Sequence, residues 1–291
     1  MKLLQDVSSV RNFTQKQTAK QEIGLVPTMG ALHRGHRALL EASLQNNDLT
    51  ICSIYVNPTQ FNNPDDLDKY PRTLEHDLKF LEEVGCDAVF CPPNQVMYPK
   101  KEQQLLQLSF GHLDKILEGQ HRPGHFSGVG LVVSKLLNIV QPRRAYFGQK
   151  DLQQLAIIRQ MVREFCISVE IMSVPIVREA SGLALSSRNQ RLSSEEKQVA
   201  TQLYRTLLFA QQQYEIGIDL TTIKQQVLDR LSRDTGIRVE YFEVVRIDDF
   251  HLIEEADKSG AIAFCVAAYV GDVRLIDNII VPPAKSTQQE H

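Results

Sequence analysis

The sequence predicts an α/β protein, with a Rossmann-like, doubly wound parallel sheet over residues 1–177 and a smaller α+β domain over residues 178–291. Three observations support this prediction. Short apolar runs of strand type alternate with helical patterns from residue 23 to residue 177. A stretch of small and polar residues, 178–189, then interrupts the alternation. After it come two helical patterns and three strand-like runs, an order typical of an α+β domain.

Length and composition are those of a globular protein. With 291 residues, 43% of them hydrophobic and 23% charged, the chain is long enough for about two domains with buried cores. A net charge of −3 without Lys/Arg runs predicts no nucleic-acid partner. Met1 to Val10 lacks the apolar core of a secretory leader, and the longest apolar run, Ala261 to Val270, is too short to span a bilayer. We therefore expect a cytoplasmic protein without a membrane partner.

The cysteines predict no chemistry of their own. They are odd in number, contain no C-x-x-C pair, and most lie in apolar runs of strand type. We expect buried free thiols in a reducing compartment, without catalytic or metal-binding roles. The five residues are Cys52, Cys86, Cys91, Cys166 and Cys265.

The segment from Ile23 to His36 combines a strand, a tight turn and the start of a helix. Its first residues are apolar, and Pro27 cannot donate to a sheet, so that the strand is expected to end there. Gly30 marks the turn. Apolar residues recur at helical spacing from His33 onward, which puts His33 and His36 on one face of the first helical turn.

This helix start is a candidate phosphate site. Free N–H groups and the helix dipole favour an anion at a helix N-terminus, and the imidazoles of His33 and His36 add directed donors. The loop is neither a G-x-x-x-x-G-K-S/T phosphate loop nor a G-x-G-x-x-G dinucleotide fingerprint. The four residues HRGH alone also fit the surface of an ordinary amphipathic helix, but the preceding strand and following helix favour the functional interpretation.

The remaining elements follow from the same patterns. In the first domain we expect further strands at 49–56, 88–91, 145–148 and 167–177, and helices at 74–84, 113–120, 129–140 and 152–165. The segment 119–128, with its glycines, proline and cationic centre, fits a mobile loop over a site and equally a plain connection. In the second domain we expect helices at 195–214 and 220–233, the first capped near Ser193, and strands at 239–247, 261–270 and 273–280.

Polar side chains follow two of these strands. Asn57 and Gln60 come after the strand at 49–56, although a plain Pro-containing turn fits them as well. Lys150 lies between a strand and a helix, with Gln154 one helical turn further on. Because open α/β sheets bind ligands at the carboxyl ends of their strands, we expect these residues at one edge of the sheet.

Taken together, seven segments resemble the pantoate–β-alanine ligase (pantothenate synthetase) family along nearly the whole chain. HRGH alone is a HIGH-type motif that indicates only a nucleotidyltransferase, a superfamily that includes class I aminoacyl-tRNA synthetases; Gln60, FGQKD and LSSRN narrow the resemblance to the ligase. The segments are VPTMGALHRGH, YVNPTQF, DLDKYPRTLEHDL, RPGHFSGV, AYFGQKDLQQL, REASGLALSSRN and GDVRLIDN.

The resemblance implies an ATP-dependent ligation in two steps. The carboxylate of (R)-pantoate attacks the α-phosphorus of ATP, which releases pyrophosphate and leaves a pantoyl adenylate. The amine of β-alanine then displaces AMP to give pantothenate, a coenzyme A precursor. The resemblance also implies a homodimer and a smaller domain that is a candidate lid. Mg²⁺ is expected to be held mostly by phosphates, with Asp77 as a candidate protein ligand.

The same resemblance implies the site residues. The candidate catalytic residues are His33, His36, Lys150 and Arg188. His36 is expected to act as a hydrogen-bond donor to the phosphoryl group rather than as an obligatory proton donor. Gln60 and Gln154 are expected to hold pantoate, with Gln60 also near β-alanine. The candidate ATP-binding residues are Met29, Gly30, Ala31, Leu32, His33, Arg34, Gly35, His36, Gly148, Gln149, Lys150, Asp151, Val177, Leu185, Ser186, Ser187 and Arg188.

Two other functions stay open at this point. A different nucleotidyltransferase, acting on a phosphorylated acceptor, calls for Arg or Lys where this chain has Gln60 and Gln154. A nucleotide-binding domain without catalytic activity binds ATP but turns over no carboxylate substrate.

Overall fold

The structure is a computed structural model that describes residues 1–16, 21–99, 106–233, 236–255 and 260–283. The chain forms two compact units. The first contains residues 1–177 and 185–187, and the second contains residues 178–184 together with the chain from 188 onward. The first unit holds a parallel sheet with helices, and the second holds a smaller antiparallel sheet, which confirms the predicted fold class.

Within the described residues, six parallel strands form the sheet of the first unit, in the order β1-β4-β3-β2-β5-β6. From β2 the chain moves outward to β3 and β4, and it then returns to the other side of β2 to form β5 and β6. The order therefore reverses between β2 and β5, and such a switch point is where open α/β sheets bind ligands. The strands are β1 Lys2–Leu4, β2 Ile23–Thr28, β3 Leu49–Ile54, β4 Ala88–Phe90, β5 Arg144–Gly148 and β6 Glu170–Val174.

Helices cover both faces of this sheet. Leu25 and Ile51 belong to the apolar core on one face, which includes seven residues of α7, whereas the next residues, Val26 and Cys52, belong to the core on the other. This alternation explains why the central strands are apolar throughout. The helices are α1 Val7–Gln15, α2 Arg34–Asn46, α3 Pro64–Asp68, α4 Leu74–Val84, α5 Asn94–Met97, α6 Leu117–His121, α7 His125–Val140 and α8 Leu152–Glu164.

The first strand is predicted to end at Pro27, and β2 continues one residue further, to Thr28. Successive residues of a strand direct their backbone polar groups to opposite sides. The carbonyl of Ile23 accepts from Arg143 on the β5 side, and by alternation Pro27 faces that side too. The ladder between β2 and β5 has already ended at Leu25, so the proline costs no hydrogen bond.

The segment 119–128 is not an open loop. It contains the end of α6 and the first turn of α7, where His125, Phe126 and Gly128 are buried. The predicted helix began too late because glycine is unfavourable inside helices and obscured the pattern before residue 129. The short edge strand β1 and helix α1, which the sequence patterns did not predict, precede this αβ series.

In the part of the second unit that the structure describes, three antiparallel strands, in the order β7-β8-β9, pack with two helices. A capping box of Ser193 and Glu196 begins the first helix, as predicted. Leu207 and Val227 of the helices share one apolar core with Phe242 and Phe264 of the sheet. The elements are α9 Ser194–Glu215, α10 Leu220–Ser232, β7 Ile237–Arg246, β8 Ile262–Val270 and β9 Val273–Val281.

All five cysteines are free thiols, and three of them are buried, whereas Cys166 is exposed. Burial raises the pKa of the Cys52 thiol well above its ordinary value and that of Cys86 to about 12, which disfavours the reactive thiolate. Among the helices in the described ranges, none has the length and apolar character needed to cross a bilayer.

Candidate functional site

Asp77 fixes the shape of the turn that follows β2. Gly30 and Ala31 both adopt left-handed backbone conformations, with φ of 80° and 50°. The Asp77 carboxylate, 1% exposed, accepts hydrogen bonds from the backbone N–H of Ala31 (2.9 Å) and Leu32 (2.8 Å). A Cβ on residue 30 would lie 3.0 Å from this carboxylate, which explains the glycine. Each oxygen of Asp77 thus accepts one backbone N–H, and its binding of a metal stays a prediction.

The two histidines of HRGH form the N-terminal cap of α2. His33 precedes the helix, with an extended backbone, rather than lying on its first turn as predicted. Its Nδ1 accepts from the backbone N–H of Gly35 at 3.1 Å, and Nδ1 of His36 accepts from the N–H of His33 at 3.2 Å. The two ring centroids are 4.1 Å apart. The rings are thus neighbours, as expected, but the backbone itself holds them.

These bonds determine where each imidazole carries its proton. A nitrogen that accepts from an N–H must keep its lone pair, so the remaining hydrogen of each neutral ring is on Nε2. Burial, followed by the charge of Lys150, lowers the pKa of His33 to about 4 against an opposing effect of Asp151. Burial, followed by His33 and Lys150, lowers the pKa of His36 to about 3. At neutral pH both rings therefore offer an Nε2–H donor without a charge.

Lys150 follows β5, the strand on the other side of the switch point. It lies in a single 3-10 turn, Gln149–Asp151, between β5 and α8. Its ammonium group is near enough to lower the pKa of both imidazoles. Two uncharged donors after β2 and one cation after β5 thus come together at the carboxyl edge of neighbouring strands. Gly148 and Gln149 are half-buried beside them, whereas Asp151 and Arg34 are exposed.

The segment Leu185–Ser187 belongs to the first unit although it follows the start of the second. The N–H of Leu185 donates to the carbonyl of Val177 at 3.0 Å. The hydroxyl of Ser187 donates to the carbonyl of Ala31 at 3.1 Å, so this segment contacts the turn after β2. Arg188 is counted with the second unit, in the 3-10 turn Ser187–Arg191, and its participation in the site stays a prediction.

The amide of Gln60 has a defined orientation. Nδ2 of Asn57 donates to the carbonyl of Gly128 (3.2 Å), which can only accept, and also to Oε1 of Gln60 (3.1 Å). Oδ1 of Asn57 accepts from the hydroxyl of Tyr98 at 2.9 Å. The NH₂ group of Gln60 is therefore its donor end, and it donates to Sδ of Met29 at 3.3 Å. Gln60 thus lies against the turn after β2.

Two adjacent glutamines of α8 differ in what they bind. Gln153 is buried, accepts from the N–H of Glu118 (2.9 Å) and donates to the carbonyls of Leu113 (2.8 Å) and Ile116 (3.0 Å). Gln154 is half-buried, and its side-chain amide forms no hydrogen bond with the described residues. The amide of Gln153 is thus used within the fold, whereas the binding of pantoate by Gln154 stays a prediction.

The sequence alone assigned no role to Tyr98 and committed to none for Asn57. Asn57 follows a buried strand directly, and that position is the signal that marks it. Tyr98 is 41 residues further along the chain and reaches Asn57 only through the fold. Asp77 likewise carries no local signal, because its two partners are 45 and 46 residues away.

The chain is similar to pantoate–β-alanine ligases over nearly its whole length. The family described as Pantoate-beta-alanine ligase matches residues 2–280. The pantothenate synthetase of Cytophaga hutchinsonii is 45% identical over 271 residues, which cover 93% of this chain and 95% of that protein. The pantothenate synthetase of Bacteroides fragilis is 47% identical over 259 residues, which cover 89% and 91%.

Solved structures agree. The pantothenate synthetase of Thermus thermophilus superposes with a TM-score of 0.89 at 39% identity, covering 96% of this chain and 99% of that one. The pantoate–β-alanine ligase of Francisella tularensis, complexed with beta-gamma ATP and β-alanine, gives a TM-score of 0.80 at 36% identity, covering 98% of this chain and 100% of that one.

Proposed function

This chain belongs to the pantoate–β-alanine ligase family, and we propose that it joins (R)-pantoate to β-alanine at the expense of ATP, forming pantothenate. The observation that carries the proposal is the convergence of His33, His36 and Lys150 at the switch point of the sheet. A cation beside two fixed N–H donors suits a phosphoryl group on which negative charge increases during reaction.

In the first step, a carboxylate oxygen of pantoate forms a bond to the α-phosphorus of ATP. The bond from that phosphorus to the bridging oxygen of the β-phosphate breaks, and pyrophosphate leaves with the electron pair. The nucleophile is an anion and the leaving group departs as one, so the step needs no proton transfer. Neutral His33 and His36 fit this requirement because they donate hydrogen bonds at Nε2 without giving up a proton. Lys150 and Arg188 supply positive charge.

In the second step, the amine of β-alanine attacks the acyl carbon of pantoyl adenylate. The carbon–oxygen bond to AMP breaks, the nitrogen loses a proton to solvent, and AMP leaves. Neither step needs a covalent bond between the protein and a substrate. The high pKa values of the buried thiols of Cys52 and Cys86 agree with that absence.

Gln60 and Gln154 are the proposed ligands of pantoate, and Gln60 also lies near the approach of β-alanine. The NH₂ of Gln60 contacts the sulfur of Met29, a weak acceptor, and is able to donate to the oxygen of a carboxylate or hydroxyl. A neutral amide orients the carboxylate without the strong ground-state pairing that a cation provides, so the oxygen keeps its nucleophilicity. The same neutrality argues against a phosphorylated acceptor, and hence against the alternative nucleotidyltransferase.

The nucleotide is proposed to lie along three segments: the turn after β2, the turn after β5 and the segment Leu185–Ser187. The bond from Ser187 to Ala31 supports this assignment, because it joins the first and third of these segments. Asp151, exposed at the start of α8, is the proposed partner of the ribose. The remaining proposed contacts are Met29, Gly30, Leu32, Arg34, Gly35, Gly148, Gln149, Val177, Leu185, Ser186 and Arg188.

The described residues do not form a protein cage for Mg²⁺. No group of three or more His, Cys, Asp or Glu side chains is arranged to hold a metal in the described part of the chain, and Asp77 is occupied by the backbone. We therefore propose that Mg²⁺ is bound through the phosphate oxygens of ATP, as is usual for this cation. The resemblance also supports a homodimer, which light scattering of the purified protein would test.

The proposed function is tested by identifying the products of the reaction. We expect AMP, pyrophosphate and pantothenate in equal amounts from wild-type protein, and only when pantoate, ATP and β-alanine are all present. Quantifying nucleotides and pantothenate by chromatography is the measurement. Release of ADP would contradict the adenylate route, and tight ATP binding without any product would favour the non-catalytic alternative.

A further inference from the structure

We propose that His125 is a positioning residue for pantoate and β-alanine. It holds in place the 3-10 turn Pro58–Gln60, called the Gln60 turn below. The inference rests on the proposed function, because it deepens the role given there to Gln60. His125 does not face the substrates in this assignment. It acts through the backbone of the turn that presents the Gln60 amide.

His125 contacts that backbone directly. Its Nδ1 lies 2.7 Å from the carbonyl oxygen of Gln60, in a buried contact between residues 65 positions apart. A carbonyl can only accept, so Nδ1 must carry the hydrogen. His125 therefore has the opposite tautomer to His33 and His36, with its lone pair on Nε2.

The other edge of the ring is fixed as well. Nε2 of His125 lies 3.1 Å from a guanidinium nitrogen of Arg122, which donates to it. The same nitrogen of Arg122 lies 3.4 Å from the carboxylate of Glu118, which is only 6% exposed. Both ring nitrogens are thus committed, one to the Gln60 turn and one to a buried ion pair.

This network reaches the neighbour of the second glutamine proposed to bind pantoate. The backbone N–H of Glu118 donates to Gln153, the residue immediately before Gln154 in α8. A continuous series of polar contacts therefore runs from the start of α8 through Glu118, Arg122 and His125 to the Gln60 turn. This series connects the start of α8, which carries Gln154, with the turn that carries Gln60.

Close packing fixes the opposite side of the turn. A Cβ on Gly128 would lie 2.4 Å from the carbonyl oxygen of Thr59, so α7 and the turn approach each other at backbone distance. Asn57 bridges the same gap through its bond to Gly128. The backbone of α7 packs against one side of the turn, and the His125 ring is hydrogen-bonded to the other. The turn is therefore held in one position, and so is the Gln60 amide that it presents.

The expected effect is selective. Removing the Nδ1 donor leaves a buried carbonyl without its partner and lets the turn shift. A displacement of about 1 Å at a positioning group can cost about 100-fold. We therefore expect KM for pantoate and β-alanine to rise by about 10- to 100-fold in His125→Leu, with KM for ATP within about 2-fold of wild type.

Three substitutions at one position test the donor. Asn places an N–H near the position of Nδ1, Gln places its amide near Nε2, and Leu removes both. We expect His125→Asn to recover most of the affinity for pantoate, and His125→Gln to behave like His125→Leu. The matched control is His251→Leu, at an exposed histidine on the second unit that pairs with Asp249; its three KM values should be unchanged.

The outcomes are distinct. An unchanged pantoate KM in His125→Leu, an equal rise in all three KM values, or an Asn variant no better than Gln would each overturn the positioning role. If thermal melting shows that His125→Leu is not folded, the comparison of His125→Asn with His125→Gln tests the positioning role by itself. No pantothenate from the wild-type enzyme would instead refute the proposed function.

Discussion

His33, His36 and His125 each commit one ring nitrogen to the backbone, and the committed bond sets what the other nitrogen can do. His33 and His36 accept at Nδ1 and present an N–H, whereas His125 donates at Nδ1 and presents a lone pair. The sequence marks the first two as neighbours at a helix start. It contains no signal for the tautomers, because these depend on partners that the fold supplies.

Replacement of His36 tests its role as a donor. We expect His36→Ala to lower kcat by about 100- to 1000-fold, with a much smaller change in KM for ATP, because the Nε2–H bond strengthens as charge develops on the phosphoryl group. Steady-state rates with each substrate varied in turn are the measurement. The substitution also removes one capping bond, for which a loss of about 1 kcal/mol of stability is expected. A normal kcat would remove His36 from this role.

The lowered pKa values also predict how stability depends on pH. Histidine in the unfolded chain takes up a proton near pH 6.5, whereas folded His33 and His36 stay neutral down to about pH 4 and about pH 3. The unfolded state therefore binds more protons below pH 6.5, and acidification destabilises the fold by about 1.4 kcal/mol per pH unit for each such histidine. Denaturant titrations between pH 7 and pH 5 should give a shallower decline for His36→Gln than for wild type. Parallel curves would contradict the pKa assignment.

At the scale of secondary-structure elements, the turn after β2 depends on a helix that is distant in sequence. Apolar spacing alone predicts α4 with the bounds that the structure has, Leu74–Val84. The pattern does not predict that Asp77, on the first turn of α4, holds the backbone of Ala31 and Leu32. Periodicity shows which face of a helix is apolar, but it does not show which carboxylate will replace water for a buried N–H.

Substitution of Asp77 tests this support. In Asp77→Asn, an amide NH₂ faces one of the two backbone N–H groups, so one buried donor loses its acceptor. We expect a loss of about 2 to 4 kcal/mol in the free energy of unfolding, with lower activity, because the cap of α2 follows this turn directly. Urea titration is the measurement. Glu75→Gln, an exposed acid on the same helical turn, is the control and should stay within about 0.5 kcal/mol. A similarly stable Asp77→Asn protein would show that the turn keeps its shape without the carboxylate.

For the whole molecule, the order of strand and helix patterns was sufficient to predict a parallel sheet and a separate, smaller α+β domain. The strand order was not predictable from it, because periodicity contains no information about which strands pair. The candidate site depends on that order. Ser187 and Ala31 are 156 residues apart, and Gln60 and His125 are 65 apart, yet each pair is in contact. Recognising the family motifs as a set predicted the members of the candidate site, whereas the hydrogen bonds that hold these residues could be found only from the fold.

The cap of α2 also limits how this site can be re-engineered. Imidazole is the side chain that offers a lone pair and an N–H on opposite edges of one rigid ring, so no isosteric swap preserves both functions. A designer who moves the HRGH tetrapeptide into a foreign scaffold must therefore import the helix it caps, together with an acid in the place of Asp77. Without them, the grafted tetrapeptide would have the right sequence, but its imidazole N–H donors would point in the wrong direction.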